Sequence, residues 1–325
     1  KLVTQLFGEC LLIANATGCS SIWANSFPAT PYTSALNGTG VAWANSLFED
    51  AAEFGYGMLL SGQAARKRLR HKLEKWLEQS KQEENRAYRE SYQGWLDTFS
   101  KSRENQKATA QLVTCLEEEG SELAREILRE KSFLSKKSQW IFGGDGWAYD
   151  IGYGGLDHIL ASGQDINILV FDTEIYSNTG GQASKSTHQG ALARLAFHGK
   201  KTKKKNLAAL AMTYEDVYVA QIAMGADYQQ CIRALVEAEQ YPGTSLILAY
   251  APCISHGIRK GMEHVQEEER LAVSSGYWDI FRYHPTGGED GTPVLFHDWK
   301  KKREPLEEFL SGENRFRGMG IYKKI

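Results

Sequence analysis

Five short segments of the chain are apolar without alternation of apolar and polar residues. They are LLIAN (11–15), QWIFG (139–143), INILVFD (166–172), VYVAQIA (217–223) and SLILAYA (245–251). Such runs are typical of strands that are covered on both faces, because a strand with one face in water alternates. Between them, GLDHILASG (155–163) and YQQCIRALVEAEQ (228–240) carry apolar residues at helical spacing. We therefore predict an α/β fold with a doubly wound, mainly parallel sheet.

Residues 63–138 show a different pattern, highly charged and almost free of strand signals. Apolar residues at helical spacing, among them Leu69, Leu73 and Trp76, indicate amphipathic helices. We predict a charged helical insertion, residues 63–135, within a domain formed by residues 1–62 and 136–280. Residues 281–325 are predicted to form a C-terminal segment.

Composition excludes few classes of protein. At 325 residues and 42% hydrophobic content the chain can bury a large core, and its net charge of −2 gives no reason to expect nucleic acid. No apolar run approaches the roughly 20 residues that span a bilayer. Five cysteines without a C-x-x-C pair favour a reducing compartment such as the cytoplasm. The chain begins at Lys1, without an initiator methionine, which indicates part of a longer protein.

The lysine-rich run KKTKKKN (200–206) has two interpretations. It could attract an acidic partner, or it could be an exposed flexible loop. The exposed loop is the favoured interpretation.

The segment IFGGDGWAYD (141–150) places Asp145 inside a glycine-rich turn at the end of a predicted strand. Glycines let backbone N–H groups approach a phosphate, but a carboxylate repels the phosphate unless a cation lies between them. Mg²⁺ fits, because it bridges carboxylate and diphosphate oxygens. The dinucleotide fingerprint fits only in part, since Tyr149 occupies its third glycine position, and no Walker lysine follows. The alternative is that Asp145 caps the following helix.

A second loop, DTEIYSNTGGQ (172–182), follows the next predicted strand. It can supply hydroxyl, carbonyl and amide oxygens to the same ion. Ligands of parallel sheets bind at the carboxyl ends of strands, so the two loops could hold one Mg²⁺-diphosphate between them. Taken alone, SNTGG is an ordinary turn; paired with G-D-G about 30 residues earlier, it becomes a specific signal.

This pair of loops resembles the thiamine diphosphate signature. The amino-acid sequences of the two loops are similar to those of the pyruvate:ferredoxin (flavodoxin) oxidoreductase family. Further similar strings are LFGECLLIANATGCSSIW, WANSLFEDAAEFGYGM, YAPCISHGIRKGM and SGYWDIFRY. The resemblance implies a sheet of the thiamine diphosphate-binding type. For the complete enzyme it implies oxidative decarboxylation of pyruvate to acetyl-CoA and CO₂, with electrons passing through iron–sulfur clusters to ferredoxin or flavodoxin.

The resemblance also implies partners. These are pyruvate, coenzyme A, the remaining domains of the enzyme and a second copy in a homodimer, in the cytoplasm or another reducing, anaerobic compartment; neither nucleic acid nor a membrane is expected. Two alternatives stay open: a related enzyme for another 2-oxo acid, and a truncated, non-catalytic homologue that acts as a binding or assembly module.

Single residues receive roles from the same resemblance. Mg²⁺ would be held by the Asp145 carboxylate, the Thr173 hydroxyl and the Ile175 carbonyl. Asn178 would lie nearest the reacting carbon as the catalytic residue. The residues expected to line the diphosphate and thiazolium are Gly144, Asp145, Gly146, Trp147, Thr173, Glu174, Ile175, Tyr176, Ser177 and Asn178.

The resemblance implies a functional role for two of the cysteines. Cys19 and Cys253 would be two of the four thiolate ligands of a [4Fe–4S] cluster close to thiamine, with Cys19 also beside the cofactor. The other two ligands would come from a C-x-x-C pair that lies outside this chain. Without the resemblance both would be core thiols. His188 and His256 receive no role in the site.

Overall fold

The computed structural model describes residues 1–24, 26, 30–32, 34, 40–46, 49–79, 85–300 and 304–319. The strands are β1 Leu11–Asn15, β2 Ala42–Asn45, β3 Ser138–Gly144, β4 Ile166–Asp172, β5 Tyr218–Ile222, β6 Thr244–Tyr250, β7 Phe281–His284 and β8 Val294–His297. The α-helices are α1 Leu2–Phe7, α2 Cys19–Ala24, α3 Ala51–Gln79, α4 Asn85–Asp97, α5 Ser102–Glu119, α6 Glu122–Arg129, α7 Tyr153–Leu160, α8 Leu207–Met212, α9 Tyr228–Gln240, α10 Val265–Ser274 and α11 Leu306–Gly312. Short 3₁₀ segments are Gly8–Cys10, Lys131–Phe133, Ile254–His256, Met262–His264 and Asn314–Met319, and Gly146–Ile151 is π-helical.

The strands form one eight-stranded sheet in the order β2-β1-β3-β4-β6-β5-β7-β8. The first six in this order pair in parallel, and β7 and β8 add an antiparallel edge. The predicted α/β class with a mainly parallel, doubly wound sheet is confirmed. All five predicted strands form, each within one residue of its predicted bounds.

Both faces of the sheet are buried, as the unbroken apolar strands require. In β3, Ile141 packs into the cluster on one face, whereas Trp140 and Phe142 pack into the cluster on the other. In β4, Ile168 and Leu169 divide between the same two clusters. Burying an Ile, Leu or Phe side chain contributes about 1.5–3 kcal/mol, so the central strands stabilise the fold from both sides.

The charged insertion has a hydrophobic core of its own, built by helices α3 to α6. Leu69, Leu73 and Trp76 of α3 pack there against Trp95 and Leu112. The predicted amphipathic helices therefore form. The proposed domain bounds stay a prediction: α3 runs without a break through residue 62, and β7, which begins at residue 281, belongs to the sheet.

The topology brings four loops together at one edge of the sheet. Strands β1, β3, β4 and β6 are consecutive neighbours and run in parallel, so their carboxyl ends share that edge. Cys19, Asp145, Thr173 and Cys253 each follow one of these four ends. Among the described residues, no helix is long and apolar enough to cross a membrane.

Candidate functional site

Asp145 lies directly after β3, and only 1% of its surface is exposed. It precedes the π-helical segment Gly146–Ile151, in which the Gly152 N–H donates to the Trp147 carbonyl (2.8 Å). The Asp145 carboxylate does not cap this helix. It accepts hydrogen bonds from Thr173 Oγ1 (2.8 Å) and from Ser184 Oγ (2.5 Å). The capping alternative is thereby wrong, and the carboxylate faces the neighbouring loop.

The three oxygens predicted to bind Mg²⁺ converge. Thr173 Oγ1 lies 2.8 Å from Asp145 Oδ1 and 2.9 Å from the Ile175 carbonyl oxygen. A hydroxyl has one proton, so it cannot satisfy both acceptors fully. Ser177 Oγ adds a further oxygen, 2.9 Å from Thr173 Oγ1. A carboxylate, a hydroxyl and a carbonyl gathered this closely are a donor set that fits Mg²⁺.

The ionisation of Asp145 also favours a cation. Burial, together with the negative charge of Asp172, raises its pKa to about 7 against the opposing effect of the hydrogen bonds from Ser184 and Thr173. A divalent cation beside the carboxylate would favour the charged form and lower this pKa again. Deprotonation of Asp145 and binding of Mg²⁺ should therefore promote each other.

The raised pKa of Asp145 should make the free energy of unfolding depend on pH. Between the ordinary value of 3.8 and about 7, the folded protein keeps a proton on Asp145 that the unfolded chain releases, so Asp145 makes stability fall as pH rises. We expect Asp145→Asn, which cannot ionise, to match the wild type near pH 4 and to exceed it by about 3 kcal/mol at pH 7. Urea denaturation of both proteins across this range measures the difference. A difference that does not change with pH would contradict the assignment.

Glu174 stands between the two predicted metal ligands of the second loop in a strained backbone conformation, with φ of 55°. Its side chain turns into the protein, where the carboxylate contacts Lys204 Nζ (2.7 Å), Arg315 Nη1 (2.6 Å) and the Tyr277 hydroxyl (2.5 Å). Burial would raise the pKa of Glu174, but the two cations outweigh burial and hold that pKa far below its usual range. Because the Glu174 side chain points away from the loop surface, the backbone of Glu174 is the part that could contact the cofactor, as predicted.

The interpretation of the lysine-rich run as an exposed loop is wrong for Lys204. The Lys204 side chain extends to the two buried acids beside the site. Its Nζ donates to Asp172 Oδ2 (2.8 Å) as well as to Glu174. Its ammonium group also lies 4.8 Å from the centre of the Trp278 ring. The neighbouring Lys205 donates to the Tyr149 carbonyl (3.1 Å). The run supplies a counter-charge to the two buried acids.

The glycine loop meets the second loop at a point with no room for a side chain. A Cβ on Gly146 would lie 2.4 Å from the ring of Tyr176, whose hydroxyl donates to the Gly146 carbonyl (3.4 Å). A Cβ on Gly144 would meet only a carbonyl oxygen at 3.9 Å, so its backbone stays open to a ligand. Trp147 is buried. Asn178, also in the second loop, is exposed.

Cys19 and Cys253 come together beside the second loop. Cys253 Sγ donates to Ser177 Oγ (3.2 Å). Burial raises the pKa of the Cys19 thiol, the nearby Cys253 raises it further, and a hydrogen bond with Ser177 opposes both. Two thiols do not complete a metal site: across the described residues, no group of three or more His, Cys, Asp or Glu side chains is placed to hold a metal ion.

Four functional contacts were not predicted from the sequence. Ser184 contacts the Asp145 carboxylate, His256 contacts the Thr173 backbone, and Lys204 and Arg315 hold Glu174. Each lies on an element that is distant in sequence from its partner. Only the nearness of Ser184 to the NTGG turn gave a local signal.

Two cavities differ in their relation to this site. One of about 980 Å³ is lined by Leu12, Gln139 and Asp165, at the amino ends of the strands, opposite the converging oxygens. One of about 390 Å³ is lined by Glu174 and Lys204, beside the second loop. The smaller cavity therefore borders the site, whereas the larger one lies at the other end of the sheet.

The chain is similar to known proteins. Residues 124–249 match the family described as thiamine pyrophosphate enzyme, C-terminal TPP binding domain. The chain is 50% identical to a pyruvate-flavodoxin oxidoreductase of Klebsiella pneumoniae and 51% identical to a pyruvate:ferredoxin oxidoreductase of Moorella thermoacetica, in each case over 97% of this chain and 27% of the relative. The chain is homologous to part of the pyruvate:ferredoxin (flavodoxin) oxidoreductases. The predicted resemblance is confirmed.

The chain is also similar to an enzyme whose name gives another electron acceptor. A mitochondrial pyruvate dehydrogenase [NADP(+)] of Euglena gracilis is 46% identical over 97% of this chain, which covers 18% of that protein. A solved 2-oxoglutarate:ferredoxin oxidoreductase of Magnetococcus marinus, with 2-oxoglutarate, coenzyme A and succinyl-CoA bound, aligns with 20% identity and a TM-score of 0.35, covering 56% of this chain and 66% of the other. A likeness this low supports no conclusion about ligands.

The stretch that matches the thiamine pyrophosphate family contains Asp145, Thr173, Ile175 and Asn178, and excludes Cys19 and Cys253. The comparison therefore covers the region of the predicted Mg²⁺ ligands.

Proposed function

We propose that this chain forms the thiamine diphosphate- and Mg²⁺-binding part of a pyruvate:ferredoxin (flavodoxin) oxidoreductase. The observation that carries the proposal is the convergence of the Asp145, Thr173 and Ile175 oxygens. It occurs inside the region that matches the thiamine pyrophosphate family. The chain spans 27% of the length of its bacterial relatives, so the rest of the reaction requires further domains.

The residues of the two loops would share the work of holding the cofactor. Asp145 supplies the negative charge that binds Mg²⁺, and the neutral oxygens of Thr173 and Ile175 complete this side of its coordination. The open backbone at Gly144 allows a diphosphate to approach. When bound, thiamine diphosphate supplies the electron sink that decarboxylation of a 2-oxo acid needs.

Asn178 is proposed as the catalytic residue of this segment. It belongs to the loop that holds two metal ligands, and its exposed side chain can meet a substrate that arrives from outside. Its amide can both donate and accept a hydrogen bond, which suits the carbonyl and carboxylate of a 2-oxo acid. It would orient the substrate and would not itself transfer a proton.

Cys19 and Cys253 are proposed as two of the four ligands of a [4Fe–4S] cluster, with the other two from outside this chain. Both contact Ser177, the residue before Asn178, so a cluster here would lie close to the reacting atoms. In the longer enzyme, Cys253→Ser should remove the iron–sulfur absorbance, since thiolates bind the iron. Cys231→Ser, in the buried core on α9, should keep it. Equal absorbance in both variants would overturn the assignment.

The proposed substrates are pyruvate and coenzyme A, with ferredoxin or flavodoxin as electron acceptor. The names of the relatives support this set, and pyruvate is common to all three named above. A homodimer assembled with the remaining domains, in a reducing, anaerobic compartment, completes the proposal. Activity with another 2-oxo acid and no activity with pyruvate, in the longer enzyme, would favour the related enzyme instead.

Calorimetric titration of this chain tests the binding function directly. We expect heat of binding with thiamine diphosphate in the presence of Mg²⁺ and none when EDTA replaces Mg²⁺, because the metal joins carboxylate to diphosphate. Thiamine without phosphates is the control and should not bind in either buffer. Equal binding of thiamine diphosphate with and without Mg²⁺ would exclude the proposed metal bridge.

A further inference from the structure

His256 is a fully buried side chain that joins two loops of the site. It ends the 3₁₀ turn Ile254–His256 that follows β6, and none of its surface is exposed. One ring nitrogen, Nε2, lies 2.7 Å from the Thr173 carbonyl oxygen. The other, Nδ1, lies 3.3 Å from the backbone nitrogen of Cys253. A single imidazole thus spans the backbones of a predicted Mg²⁺ ligand and a predicted cluster ligand.

The two contacts fix the proton of the ring. The Cys253 backbone N–H can only donate, so Nδ1 must accept. The proton of the neutral imidazole then sits on Nε2, which donates to the Thr173 carbonyl. Glu313 Oε1 is 3.6 Å from Nδ1, beyond hydrogen-bonding distance, and the carboxylate of Glu313 is held by Arg315. The neutral tautomer satisfies both loops at once.

We infer that His256 is a positioning residue that ties the geometry of the metal loop to that of the cysteine turn. This inference rests on the proposed function of the site. By holding the Thr173 carbonyl, the ring fixes the direction of the Thr173 hydroxyl toward Asp145. By accepting from the Cys253 N–H, it fixes the turn that presents the Cys253 sulfur to Ser177.

Other contacts also join these two loops: the Ala251 N–H donates to the Asp172 carbonyl at 3.0 Å, and Cys253 Sγ donates to Ser177 Oγ at 3.2 Å. Glu174, the residue after Thr173, has a positive φ, which non-glycine residues rarely adopt. Contacts from outside the loop are therefore needed to stabilise this conformation. The Ser255 N–H donates to Cys253 Sγ at 3.4 Å, an ordinary length for a hydrogen bond to sulfur. The imidazole adds to these contacts a donor and an acceptor on one rigid, buried ring, which hold the Thr173 carbonyl and the Cys253 N–H at a fixed spacing.

Two variants separate the halves of this bridge. In His256→Asn the amide stands where Nδ1 was, so it can accept from the Cys253 N–H but cannot reach the Thr173 carbonyl. In His256→Gln the longer amide stands where Nε2 was, so it can donate to Thr173 but leaves the Cys253 N–H. His256 has no exposed surface, whereas His198 is exposed, so His198→Asn serves as the control.

Titration of this chain with Mg²⁺-thiamine diphosphate reads the metal half. We expect His256→Asn to bind roughly tenfold more weakly than the wild type, the size of one hydrogen bond, and His256→Gln to bind within about threefold. Alkylation of Cys253 by iodoacetamide, followed by peptide mass spectrometry, reads the cysteine half. Here His256→Gln should react several times faster than the wild type, and His256→Asn should react at about the wild-type rate.

In the expected pattern each variant affects one measurement and spares the other. A purely structural role of His256 would not produce this pattern. If the two variants weaken binding equally and change alkylation equally, or if both behave like His198→Asn, the inference is overturned. Failure of the wild type to bind Mg²⁺-thiamine diphosphate would overturn the proposed function. The difference in Cys253 alkylation between the two variants would then still decide whether His256 positions the turn.

Discussion

Replacing Asp145 by alanine should abolish Mg²⁺-dependent binding of thiamine diphosphate. Asp145 is the one carboxylate among the three converging oxygens, and its charge is what allows a diphosphate into a loop that otherwise offers neutral groups. Changes to residues that only orient a metal ligand cost 10–100-fold in affinity, so loss of the ligand should exceed about a hundredfold. Calorimetric titration of the variant against the wild type measures the loss.

The matched controls separate binding from folding. Asp165→Ala removes an acid at the amino end of β4, where Asp165 pairs with Lys136 (2.9 Å), and it should leave binding unchanged. Asp145→Asn keeps the size of the side chain, and its free protein should be at least as stable as the wild type at pH 7. It should nevertheless fail to bind. Full affinity in either Asp145 variant would show that the metal bridge is misplaced.

Replacing Arg315 by methionine should destabilise the whole chain by about 3–5 kcal/mol. The guanidinium is buried and contacts Glu174, Glu313 and the Tyr250 hydroxyl. Its removal takes this cation away from the buried carboxylate of Glu313 and leaves Glu174 with Lys204 as its cation. The attraction within such a group adds little net stability, but the cost of breaking it from one side is large. Urea denaturation gives the change in free energy of unfolding.

An exposed ion pair provides the comparison. Arg86 and Glu90 form a pair on α4 at 2.9 Å with both side chains in solvent, so Arg86→Met should leave stability unchanged within error. Lys204→Met, which removes the second cation beside Glu174, should destabilise the protein in the same direction as Arg315→Met. Wild-type stability in both buried variants would show that Glu174 does not need its cations.

The sequence predicts the parallel centre of the sheet well because each central strand is itself an unbroken apolar run. The edges escaped prediction. Strands β2, β7 and β8 are four residues long, and β7 reads FRYH, an alternation of aromatic and polar residues that is too short to stand out in the sequence. Short edge strands form because a neighbouring strand offers hydrogen bonds, and that information is not in their own residues.

The same distinction applies to the site. Asp145, Thr173 and Ile175 could be found because the loops after β3 and β4 bring local motifs to adjacent strand ends. Arg315 could not, since it contacts Glu174 across 141 positions of the chain and nothing in the string NRF marks it as a buried cation. Lys204 was missed for the opposite reason, because the charged run around it is typical of an exposed loop.

Helix α3 has a consequence for how the chain unfolds. Near its start, Gly55 packs so closely that a Cβ there would lie 2.6 Å from Ile141 of the sheet, while Leu69 and Leu73 lie in the core of the insertion. At about 1.5 Å per residue, its 29 residues form one rod of roughly 43 Å that belongs to both cores. Neither core can melt alone without breaking this rod in the middle. Sheet and insertion should therefore lose their structure in one cooperative transition, with amides at both ends of α3 exchanging with solvent at the same free energy.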